Sequence, residues 1–132
     1  MNTYEEITVR LPKKADYVSL IRLTVSGIAS VIGFDIDTIE DIKVAVSEVC
    51  NRIISIDQQS SEYYDIIFQI FPEGFIVQFT NIGKCARSMF EGESGEFARA
   101  IISSLMDEFT IKYDDACIIT MGKNLGDHEN EQ

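Results

Sequence analysis

Two apolar stripes at helical spacing lie almost end to end in this chain, and the break between them limits what it can fold into. Val18, Ile21, Val25, Ile28 and Ile32 recur at steps of three and four, the interval that lines up side chains on one face of an α-helix. Gly33 follows at once, and glycine readily takes the left-handed backbone that ends a helix. A second stripe runs through Ile39, Ile42, Val46, Val49 and Ile53. It opens after Asp37, a good N-cap acceptor for first-turn amides, with Glu40 three positions on completing a capping-box-like pair. The pattern predicts two consecutive amphipathic helices, the first over residues 16–32.

The remaining segments read mainly as strands. Glu5-Glu6-Ile7-Thr8-Val9-Arg10-Leu11 alternates polar and apolar residues until Pro12 stops it, the period of a strand with one buried face. After the polar turn at residues 57–61, residues 63–71 and 75–80 are rich in β-branched and aromatic side chains, with the turn signal Pro72-Glu73-Gly74 between them. They are expected to pair as an antiparallel hairpin. Residues 81–94 read as a loop, followed by a third helix through Ala98, Ile101, Ile102 and Leu105. Two last strands, residues 108–113 and 116–121, are joined by a tight Asp114-Asp115 turn, and the chain from Lys123 on reads as a polar, frayed tail. The order β-α-α-β-β-α-β-β implies an α+β fold: a two-layer sandwich with helices on one face of a mixed, mainly antiparallel sheet.

Composition narrows the function classes. At 132 residues and 45% apolar content the chain fits one domain, residues 1–132, with a core of its own. No run approaches the roughly 20 consecutive apolar residues of a bilayer span. Residues 1–14 also lack the basic-then-apolar order of a signal peptide, so a cytoplasmic location is expected. A net charge of −11 opposes direct binding to nucleic acid or to anionic membranes and favours a protein partner with basic surface. Cys50, Cys85 and Cys117 are odd in number and lack C-x-x-C spacing, which argues for reduced thiols rather than a disulfide framework or zinc site. Cys50, next to Val49, reads as core, and His128 in the polar tail offers no catalytic base.

Residues 21–30, Ile-Arg-Leu-Thr-Val-Ser-Gly-Ile-Ala-Ser, and residues 39–50, Ile-Glu-Asp-Ile-Lys-Val-Ala-Val-Ser-Glu-Val-Cys, resemble the first two helices of the bacterial anti-sigma factor serine kinases. Leu105-Met106-Asp107-Glu108 resembles the end of their third helix. These kinases belong to the GHKL, or histidine kinase-like, ATPase superfamily, and the resemblance implies its Bergerat-type α/β sandwich. It also implies ATP and magnesium as cofactors where the site is intact. A sigma factor and an anti-sigma factor antagonist are the implied protein partners, and a homodimer is implied as well. Arg22 matches the arginine with which the family contacts the sigma factor, while the plain reading of Arg22 is a solvated helix residue.

Three contacts of the implied nucleotide site depart from the family pattern. Glu48 matches the catalytic glutamate, but Arg52 stands where an asparagine would help hold magnesium. A guanidinium has donors only and cannot ligate a cation. Asn51 is turned about 100° around the helix from that position. Arg52 is therefore expected to pair with Glu48 one turn away, with direct contact to a phosphate as the lesser alternative. Asn81 and Gly83 match the adenine-binding aspartate and glycine, and read equally well as a strand-ending turn. Gly95 alone survives of the glycine-rich phosphate loop, among Glu91, Glu93 and Glu96, whose charge opposes a triphosphate. The resulting expectation is an anti-sigma regulatory protein with weakened or lost ATP binding and no metal site. The alternative is an active serine kinase of an anti-sigma factor antagonist, and the sequence leaves enzymatic activity open.

Overall fold

The computed structural model describes residues 4–56, 62–83, 88–113 and 116–126. Strand β1 (Glu5–Pro12) leads through a short 3-10 turn into helices α1 (Val18–Ile32) and α2 (Ile36–Ile56). Strands β2 (Tyr63–Phe71) and β3 (Gly74–Ile82), helix α3 (Gly92–Leu105), and strands β4 (Glu108–Lys112) and β5 (Cys117–Asn124) follow. The five strands form one sheet in the order β1-β2-β3-β5-β4, and every neighbouring pair is antiparallel. The expected α+β sandwich is what forms, with the sheet wholly antiparallel rather than mixed.

The helical stripes and the sheet bury one another. Ile21 and Val25 of α1, Ile42, Val46, Val49 and Ile53 of α2, and Ile102 of α3 are fully buried. Opposite them lie Ile66 and Phe68 of β2, Val77 and Phe79 of β3, and Ile119 and Met121 of β5, also fully buried. On each strand these residues alternate with half-exposed ones, so a single sheet face carries the core. The segment Ala15–Ile32 has the length and composition of a membrane span. Here it turns one face into this core, with Ile21, Val25, Ile28 and Ala29 buried.

Three boundaries differ from the sequence reading, two through hydrogen bonds and one through packing that outweighs a local signal. The cap of α2 is Asp35, not Asp37: its Oδ1 accepts from the Thr38 amide at 2.8 Å, the N-cap to N3 pattern. Glu40, freed from the capping role, accepts from Lys43 Nζ at 2.9 Å. Helix α3 begins at Gly92, inside the stretch read as loop. Strand β5 runs on to Asn124 because Lys123 and Asn124 pair with Phe75 and Gly74, and Lys123 Nζ donates to Leu105 O at 2.8 Å. The turn at residues 57–61, the Asp114-Asp115 turn, Cys85 and His128 lie outside the described residues. At the end of α1, Gly33 takes φ +113°, as its position after the stripe predicts.

Edge strand β1 is tied to β2 by a two-pronged ion pair at facing positions. Arg10 Nε donates to Asp65 Oδ1 at 2.7 Å and Arg10 Nη2 to Oδ2 at 3.0 Å. The hydrogen bond from Arg10 holds the Asp65 carboxyl below its usual value. A carboxyl depressed in the folded state contributes stability above its unfolded pKa of about 3.9 and loses it as pH falls through the folded value. Denaturant titrations at neutral pH and below about pH 3 should show a smaller acid-induced loss of stability in Asp65→Asn than in the parent chain. Identical losses would show that this pair does not contribute to the acid response.

Candidate functional site

Helix α2 carries the central residues. Glu48 and Arg52 sit one turn apart and both are half-buried, while Asn51 is exposed. The expected Glu48 to Arg52 ion pair does not form. Arg52 instead reaches across to the segment before α3, where Nε and Nη2 donate to the Met89 carbonyl at 2.9 and 2.5 Å. Nη1 makes a longer bond to Ser94 Oγ at 3.4 Å. A helix-surface ion pair is worth only a few tenths of a kcal/mol. A charge-assisted bond to a carbonyl with no regular backbone partner is worth more, because that oxygen would otherwise stay unsatisfied. Glu48 is left without an ion pair among the described residues.

The segment that Arg52 grips is packed inward. Met89 is fully buried, Phe90 is nearly so, and the Phe90 ring meets Phe109 edge-on at 5.3 Å between centroids. Gly95, the surviving glycine of the expected phosphate loop, lies inside the first turns of α3 and is buried. A Cβ built there would stand 2.6 Å from the Phe90 carbonyl carbon and 3.1 Å from Met89 O. The glycine is thus required by the close approach of helix and loop backbone. Glu91, Glu93 and Glu96 are exposed around it.

Asn81 sits in a bulge where the pairing of β3 with β5 shifts register, at φ +63°, a left-handed conformation that asparagine tolerates. Its Nδ2 donates to Tyr63 O at 3.2 Å, tying the end of β3 to the start of β2. Gly83, two residues on, is half-buried. Arg22 is not a freely solvated helix residue: it is half-buried, and its Nη1 donates to Ser47 Oγ at 2.8 Å. Ser47 Oγ in turn donates to Lys43 O at 2.7 Å, so α1 is hydrogen-bonded to α2.

Cys50 and Cys117 are buried thiols. Burial pushes the Cys50 thiol up to about 12, which removes thiolate reactivity at neutral pH. The buried Tyr64 hydroxyl has no nitrogen or oxygen partner and faces this thiol, a weak acceptor; burial pushes its pKa upward too. Among the described residues, no three His, Cys, Asp or Glu side chains cluster to hold a metal ion.

Met89 and Ser94, the partners of Arg52, were not singled out from sequence. The available signal was Met89-Phe90 itself, an apolar pair inside a polar stretch, which marks a segment with something to bury.

Residues 11–123 match the family described as the histidine kinase-like ATPase domain. The chain belongs to that family. It is 30% identical to serine-protein kinase RsbW from Bacillus cereus over 142 aligned positions, which take in 93% of this chain and 87% of the relative. The same figures hold for serine-protein kinase RsbW from Bacillus thuringiensis. Among solved structures, the RsbU and RsbW domains of a Mycobacterium tuberculosis protein superpose with a TM-score of 0.66 at 13% identity. That match covers 91% of this chain and 32% of the other, so the chain spans about a third of that protein and shares the fold of one part.

At the position where the family resemblance would place a magnesium ligand, the chemistry of the side chain does not fit a cation. Arg52 presents donors only, and they are directed at Met89 and Ser94. Gly95→Ala should cost about 1–3 kcal/mol of stability in a urea titration, since the added methyl must displace the Phe90 backbone. A neutral result would mean that the contact between α3 and this loop relaxes freely.

Proposed function

We propose that the chain is a cytoplasmic anti-sigma regulatory protein, binding a sigma factor, an anti-sigma factor antagonist or both, with weakened or lost ATP binding. The observation that carries the reading is Arg52: the position from which the family's asparagine would serve magnesium holds a guanidinium already bonded to the Met89 carbonyl. Two further positions point the same way. The Asn81 amide is bonded to Tyr63 O, and Gly95 is packed against Phe90. Partner binding is supported by 30% identity to serine-protein kinase RsbW across most of the chain. It is supported also by the exposed apolar residues Leu20, Leu23 and Val31 on α1, the helix that bears Arg22. The acidic surface suits a partner segment of basic character. Pairing of two chains as a homodimer belongs to the same proposal.

Glu48 supports the second reading, an ATP-dependent serine kinase acting on an antagonist. It holds the family's base position and has no ion pair among the described residues. In that reading Asn51 or water would hold magnesium, and Asn81 with Gly83 would receive adenine.

Calorimetry with millimolar ATP or ADP and magnesium separates the two, because a ligand raises apparent stability in proportion to the logarithm of its excess over the dissociation constant. Little or no binding is expected, and micromolar magnesium-dependent binding would establish the kinase instead. Pull-down with the host's sigma factors and antagonists should retain at least one of them, and retention of none would overturn the anti-sigma reading. Arg22→Ala should weaken that retention at least tenfold while costing no more than about 1 kcal/mol of stability, because Ser47 keeps its bond to Lys43 O.

A further inference from the structure

The carbonyl of Met89 belongs to a buried residue outside any helix or strand, and such an oxygen needs a donor. The donors come from a helix 37 residues earlier in the chain: Arg52 supplies two nitrogens to this oxygen and a third to Ser94 in the first turn of α3. One side chain thus spans α2, the inward-packed segment at residues 88–91 and the start of α3. Beyond Arg52, the buried Met89 and Phe90 and the tight approach of Gly95 to Phe90 hold the segment down. The Met89 and Phe90 contacts are apolar and the Gly95 contact is steric, whereas the guanidinium bonds are directed at particular atoms. We propose that Arg52 is an internal clasp, a cation supplied by the protein itself that holds residues 88–95 against α2.

The clasp stands apart from the sigma-factor reading, since it needs neither partner nor nucleotide. Its consequence is a fixed position for the first half of α3. That half carries Phe97, 68% exposed, three residues beyond Ser94. The bonds of one guanidinium thereby tie the surface around Phe97 to α2.

Hydrogen exchange on the full chain without nucleotide tests this. The amide of Glu91, bonded to Ser88 O at 3.1 Å, and the amides of residues 96–98 report on the clasped segment, while those of Ile66 and Val77 report on the sheet. Arg52→Ala should speed exchange of the first group about tenfold or more and leave the sheet amides unchanged, the pattern of a local opening. Arg52→Lys keeps the charge but loses the forked donors, and should give a smaller increase at the same amides. It also serves if the alanine variant does not fold. Glu48→Gln should leave both groups as they are. Unchanged exchange at residues 91 and 96–98 in the arginine variants overturns the clasp. A uniform rise that includes the sheet also overturns it, because it would make Arg52 a general stabiliser.

Discussion

The buried stripe of α2 is the constraint on which the rest of the molecule depends. Ile42, Val46, Val49 and Ile53 are fully buried between the sheet and the neighbouring helices, and removing that much apolar surface from water is the largest favourable term available to a domain of this size. Burial of this kind is non-directional: it brings helices to a sheet without fixing how they sit. Direction comes from two arginines. Arg22 reaches from α1 to Ser47 on α2, and Arg52 reaches from α2 to the segment before α3. The helix layer is thus hydrogen-bonded along its width through the middle helix.

Three of the residues that the family resemblance assigns to metal, base and phosphate make structural contacts in this chain. Arg52 satisfies a loop carbonyl, Asn81 adopts left-handed backbone in a bulge and bonds the neighbouring strand, and Gly95 allows two backbones to meet. Glu48 makes no ion pair among the described residues. On α1, Leu20, Leu23 and Val31 are exposed apolar side chains, and the chain as a whole carries a net charge of −11.

The helices, strands and their stacking were legible because they rest on periodicity. Steps of three and four marked α1 and α2, alternation marked β1, and Pro72-Glu73-Gly74 marked the hairpin. Local chemistry was less reliable where two residues competed for one task. Asp35 and Asp37 are both good caps, and only the path of the chain out of Gly33 puts the Asp35 carboxylate within 2.8 Å of an amide. The start of α3 was hidden by glycines and glutamates that read as loop, and is held by the packing of Gly95 on Phe90.

The sequence by itself determined the layer architecture, the core stripes and the family, since these follow from side-chain periodicity and from residue identities over long stretches. It also showed that Arg52 is chemically wrong for a cation, because a guanidinium has no lone pair to offer in any fold. Where that guanidinium would go was decided by the tertiary structure alone. From sequence the near partner was Glu48, one turn away. In the folded chain Met89 O, a residue 37 positions further on, lies within 2.5 Å of Arg52 Nη2. Spacing along a helix is local and can be counted, whereas a carbonyl stranded by the folding of a distant loop exists only once that loop is packed.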